Sequence, residues 1–107
     1  MFQSLELQKK IGGNRNIASC LDNLGNTYQS KGDYANAMKY YLEALQINEK
    51  YDLKDNLAIC LGNVGSLYFK QKKFKEAEMY FKKSLALSEE LGDLEGVKDI
   101  NNNLFQL

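Results

Sequence analysis

The chain has 107 residues, enough for one domain with a small core. Its 14 basic residues balance its 14 acidic ones, which argues against a nucleic-acid binder and gives no steering towards an acidic membrane surface. With no histidine and two isolated cysteines, Cys20 and Cys60, the sequence lacks the commonest general base and cannot assemble a four-ligand zinc site.

The segment Met1–Lys10 is amphipathic, without the basic start and apolar core of a signal peptide. No apolar run approaches the roughly 20 residues of a membrane span. These features read as a soluble, cytoplasmic chain. The first helix is expected near 2–12 and ends at Gly12-Gly13, with Asn16 placed to cap the next. Over 17–31, Ile17, Cys20, Leu21, Leu24 and Tyr28 follow helical steps of three and four. Lys31-Gly32-Asp33 then breaks the pattern: Gly32 can end a helix in the left-handed conformation, and Asp33 can cap its successor. Tyr34, Ala37, Met38, Tyr41, Ala44, Leu45 and Asn48 predict a helix over 34–50. Asn56 is placed to cap a helix over 57–71. Gln71-Lys72-Lys73 then stands where the earlier turn has Lys-Gly-Asp, which puts a non-glycine residue in the left-handed position at a cost of roughly 1 kcal/mol. Helices over 74–91 and 97–107 complete the chain.

These helices repeat. Residues 17–56 set above 57–96 match without a gap, pairing Ala18 with Ala58, Cys20 with Cys60, Asn23 with Asn63, Gly25 with Gly65, Tyr28 with Tyr68 and Ala37 with Ala77. The register continues outward. Ser4-Leu5 and Leu7 correspond to Ser84-Leu85 and Leu87, while Asn103, Leu104 and Leu107 correspond to Asn63, Val64 and Leu67. The chain thus reads as one domain: a half repeat at 2–12, repeats at 17–56 and 57–96, and a truncated half repeat at 97–107.

The pattern Leu21, Leu24-Gly25, Tyr28, Ala37, Tyr41, Ala44, with its second copy Leu61, Val64-Gly65, Tyr68, Ala77, Phe81, Ser84, resembles the tetratricopeptide repeat. The resemblance implies an all-α fold, a right-handed α-solenoid of antiparallel helix pairs. Glycine lets the first helix of a pair approach the second, alanine makes room from the other side, and aromatics fill the space between repeats. Two features depart from the family pattern: Glu49 and Glu89 stand where it has proline, and the period is forty residues rather than thirty-four. The longer form resembles the repeats of kinesin light chain, the Pins/LGN adaptors, Rap-type regulators and bacterial sensor proteins.

Such solenoids present a concave groove lined by first helices, which binds a peptide or helix of a partner protein. By resemblance, the groove positions include Asp22, Asn23, Asn26 and Gln29 in repeat one, Asn63, Ser66, Phe69 and Lys70 in repeat two, and Asn103 in the last helix. Asn23, Asn63 and Asn103 are the sharpest signal. Asparagine is a poor helix-interior residue, yet the same mid-helix position holds it three times. Its amide both donates and accepts, which suits the backbone of an extended peptide. The plainer alternative is that these amides brace neighbouring helices. A groove for a peptide carboxylate needs several inward Lys or Arg residues, and only Lys70 qualifies.

Other features have plain explanations. Cys20 and Cys60 read as small packed residues at one repeat position, too far apart for a bridge. The lysines at 70, 72, 73, 75, 82 and 83 interleave with Glu76 and Glu78 and read as a solvated face. The stripe Tyr28, Tyr34, Tyr41, Tyr68, Phe74 and Phe81 reads as core. No nucleophile has a histidine to activate it and no Gly-rich phosphate loop occurs, so no catalytic residue, metal ligand or cofactor is expected. Leu104, Phe105 and Leu107 would meet a following helix and predict self-association through the half-repeat ends. Three roles remain: a protein-binding scaffold, a sensor or regulatory segment of a larger signalling protein, and a self-assembling structural repeat.

Overall fold

The computed structural model describes residues 2–106, with side chains from 13 onward. Five helices follow one another: α1 (Phe2–Ser30), α2 (Tyr34–Lys50), α3 (Lys54–Lys70), α4 (Phe74–Leu91) and α5 (Leu94–Phe105). Turns of two or three residues join them, so successive helices pack as antiparallel neighbours. Gly32 (φ 79°) and Gly92 (φ 71°) take the left-handed conformation at two of these turns. Asp52 (φ 53°) and Lys72 (φ 63°) take it at the other two, as expected for Lys72. Asp33 caps α2 by accepting from the Asn36 backbone N–H at 3.3 Å.

The contacts between helices follow the repeat. Ala37, Tyr41, Val64 and Leu67 form one buried cluster joining α2 to α3, and Ala18, Ala44 and Cys60 form a second across α1, α2 and α3. Ala77, Phe81 and Ile100 form a third joining α4 to α5. The glycines work as the pattern implies. A Cβ on Gly25 would run into the Tyr41 ring, and one on Gly65 would lie 2.7 Å from the Phe81 ring. Tyr28 stacks on Tyr40 at 5.4 Å and Tyr68 on Tyr80 at 5.5 Å, each pair clamping its hairpin near the connecting turn. Where repeat one has Ala44, repeat two has Ser84, whose buried hydroxyl donates to the Ala58 carbonyl at 2.6 Å and ties α4 to α3.

Several expectations are corrected. Residues 2–30 form one continuous helix, with no end at Gly12-Gly13 and no cap at Asn16. The equivalent turns show why. Leu53 closes its turn by burying its side chain, and Asp93 closes its own by accepting from the Gly96 N–H at 3.1 Å. Gly13, at the same repeat position, has no side chain to do either, and two glycines cost a helix only about 2 kcal/mol in all. The first helices of the later pairs begin at Lys54 and Leu94, three residues earlier than expected. Asn56 therefore lies inside α3, and Leu53 holds the cap position without a side-chain bond.

Cys60 is fully buried, but Cys20 is exposed because α1 runs straight on instead of folding a helix against it. Phe74 is 48% exposed at the start of α4, edge-on to Phe69, rather than core. Leu107 lies outside the described residues.

Candidate groove on the first-helix face

Asn23 and Asn63 sit one pitch apart on α1 and α3 and share a cavity of about 190 Å³, completed by Ser19, Asp22, Asn26, Asn56 and Ile59. Asn63 also lines a second cavity, of about 220 Å³, together with Ser66 and Asn103. That space opens between α3 and α5 above Ser84 and Ser88, because α5 leans mainly on α4 through Ile100. A third cavity of about 220 Å³ takes Phe69 and Lys70 with Ser66, Asn103 and Gln106. The three asparagines thus line a continuous row of hollows. Asn63 is common to the first two, and Asn103 to the last two.

Two expected groove residues are tied through their side chains to Tyr41. The buried Tyr41 hydroxyl donates to the Asn26 side-chain oxygen and lies 2.8 Å from that of Gln29. A phenol has one proton to give, so one amide accepts it and the other, turned over, donates to the hydroxyl. These amides brace α1 against α2, the structural role that sequence alone left open for the asparagines. Lys70 is exposed at the groove's end, and no other lysine or arginine among the described residues lines these three cavities.

Asp22 is the most perturbed group on this face. It is only 7% exposed, and its Oδ1 has no hydrogen-bond partner among the described residues. Burial pushes its pKa up to about 6, against the pull of the neighbouring Cys60 and Asn63 side chains. Burial, and then the Asp22 charge, push the Tyr41 phenol and the Cys60 thiol up as well. The thiol also lies 3.3 Å from the Tyr41 carbonyl, to which it donates. Above this cluster, Arg15 on α1 donates to both carboxylate oxygens of Asp55 on α3, at 2.7 and 2.9 Å, and pins the two helices together.

The cavity wall includes Asn56, which sequence reasoning places as a cap. The forty-residue register was the available signal, because Asn56 and Gly96 are equivalent and both line first-helix cavities. The burial of Asp22 could not be read locally, since it arises from the approach of α3.

Paired antiparallel helices, repeated with a glycine seated on an aromatic ring in each pair, define a helical-repeat scaffold. The model of the tetratricopeptide repeat family matches residues 3–50 and again 17–90. The chain belongs to that family, whose members are in general protein-interaction modules without catalytic machinery. No curated protein matches it. No helix among the described residues is long and apolar enough to cross a membrane.

Proposed function

We propose that the face formed by α1, α3 and α5 binds an extended peptide segment of a partner protein. Asn23, Asn63 and Asn103 would hold the peptide backbone, and Ser66, Phe69 and Lys70 would line its far end. The observation that carries this reading is the row of joined hollows, with one asparagine at each forty-residue step. Each amide offers a donor and an acceptor, as a peptide unit does. Exposed Ile59, between the first two hollows, offers apolar contact for a side chain. The cytoplasm is the compartment that suits this module, because its two free thiols stay reduced there.

The test uses a peptide selected by display on the intact chain. Asn23→Ala and Asn63→Ala are each expected to weaken its binding about fivefold, the scale of one lost hydrogen bond. Unchanged affinity in both variants, with helical circular dichroism intact, would sink the reading.

A second reading is favoured by the last helix. Leu94 is 81% and Phe105 92% exposed, which gives α5 an unpartnered apolar face suited to self-assembly of the repeats. Sedimentation across the millimolar range tests it: concentration-dependent association that is lost in Phe105→Ser is the expected outcome, and a monomer throughout refutes it.

A further inference from the structure

We infer that the hollow between α1 and α3 is a selectivity subsite for an aliphatic cation, a lysine or arginine side chain, with Asp22 as its counter-charge. This rests on the groove reading above and specifies which partner sequences satisfy it.

Three independent observations converge. First, Asp22 is more than nine-tenths buried and lines the hollow, yet its Oδ1 has no partner among the described residues. A buried carboxylate oxygen without a partner is costly, and a charged donor satisfies it best. Second, among the described residues the walls hold no positive charge of their own. Ser19, Asn23, Asn26, Asn56 and Asn63 are neutral, and the nearest arginine on α1, Arg15, is already bound to Asp55. Third, the lip is apolar. Ile59, 60% exposed, stands at the edge of the hollow, where the methylene stem of a lysine or arginine can lie while its head reaches inward. Amide oxygens around the carboxylate can take the remaining N–H groups of such a head.

The test is an NMR titration of the isotope-labelled intact chain with blocked tripeptides. Each has alanine at both ends and lysine, arginine, norleucine or glutamate in the middle. Norleucine keeps the stem without the charge. The lysine or arginine peptide is expected to shift the Asn23, Asn56 and Asn63 side-chain amides and to bind about tenfold more tightly than norleucine, on the scale of a charge-assisted hydrogen bond. Glutamate should bind worst, and whichever basic peptide binds better identifies the head group. Asp22→Asn should abolish the preference.

Equal shifts from lysine, norleucine and glutamate would overturn the cation subsite while leaving the backbone-binding groove standing. Shifts from none would overturn both readings at this hollow. A basic preference that survives in Asp22→Asn would overturn the assignment to Asp22. Should that variant not fold, the wild-type pH profile decides. The groups facing Asp22 are Cys60 on α3 and Tyr41 on α2, both held protonated, so the preference should fade as pH drops below about 6. A preference unchanged down to pH 4 would overturn the inference.

Discussion

Gly65 on α3 lies against the ring of Phe81 on α4 so closely that a methyl group there would sit 2.7 Å from the ring, and Gly25 bears the same relation to Tyr41. Gly62, one turn earlier on α3, faces nothing nearer than the Ser84 hydroxyl, at 3.5 Å. Gly65→Ala should therefore destabilise the fold by about 1–3 kcal/mol through overpacking. Gly62→Ala should be neutral or stabilising by up to about 1 kcal/mol through helix propensity. Urea denaturation of the two variants checks this, and equal effects would show that the ring contact does not set the spacing of the pair.

The buried carboxylate at Asp22 makes stability depend on pH in the direction opposite to that of a salt-bridged acid. Burial pushes its folded pKa up to about 6, above the usual aspartate value of 3.8. The native state therefore holds the proton more tightly than the unfolded chain. Its contribution is most favourable below about pH 4 and is lost as pH rises through about 6, an effect of order 2–3 kcal/mol. Asp22→Asn should flatten that slope and raise the melting temperature at pH 7. Thermal melts of both proteins between pH 4 and 7 measure it, and identical slopes would refute it. The stability given up at neutral pH is what the cation subsite would use on binding.

The turn between α3 and α4 lacks both of the devices that favour the turn before α2. Lys72 holds a left-handed φ of 63°, and Lys73 caps α4 without a side-chain bond, whereas Gly32 and Asp33 do both jobs properly in the turn before α2. Replacing the pair, Lys72→Gly with Lys73→Asp, should stabilise by about 1–2 kcal/mol. Chemical denaturation should show a higher midpoint with an unchanged slope. No gain would mean that packing has already relaxed the turn.

Cys20 and Cys60 should differ sharply in reactivity despite their equivalent positions. Cys20 is exposed, whereas Cys60 is buried with its thiol pushed towards the protonated form. An aromatic disulfide reagent should titrate one thiol quickly in the native protein and the second only on unfolding. Two equally fast thiols would contradict the packing of α3 against α1 and α2.

Much of the fold was legible because its determinants are local or recur. Helical spacing placed α2 and α4 to the residue or nearly so, and Gly32-Asp33 announced its turn. Asn23, Asn63 and Asn103 were found on one face because a forty-residue period fixes their register. The misplaced starts of α3 and α5 have different origins: α5 begins early because the Asp93 side chain caps it at the Gly96 N–H, and α3 because of Leu53. Asn56 is a good cap by type, but burial of Leu53 closes the turn three residues earlier. Capping preference is worth about 1 kcal/mol, and burying a leucine is worth more.

The sequence by itself determined the all-α repeat, its family, and which residues share a face, since periodicity and close-packing glycines are written in the order of residues. Only the tertiary structure decided that α1 runs unbroken through Gly12-Gly13, that Asn26 and Gln29 bond the Tyr41 hydroxyl, and that Asp22 is buried between two helices with one oxygen unpaired among the described residues. Those outcomes depend on what a neighbouring helix buries, and solvent exclusion by a residue forty positions away leaves no mark on the local sequence.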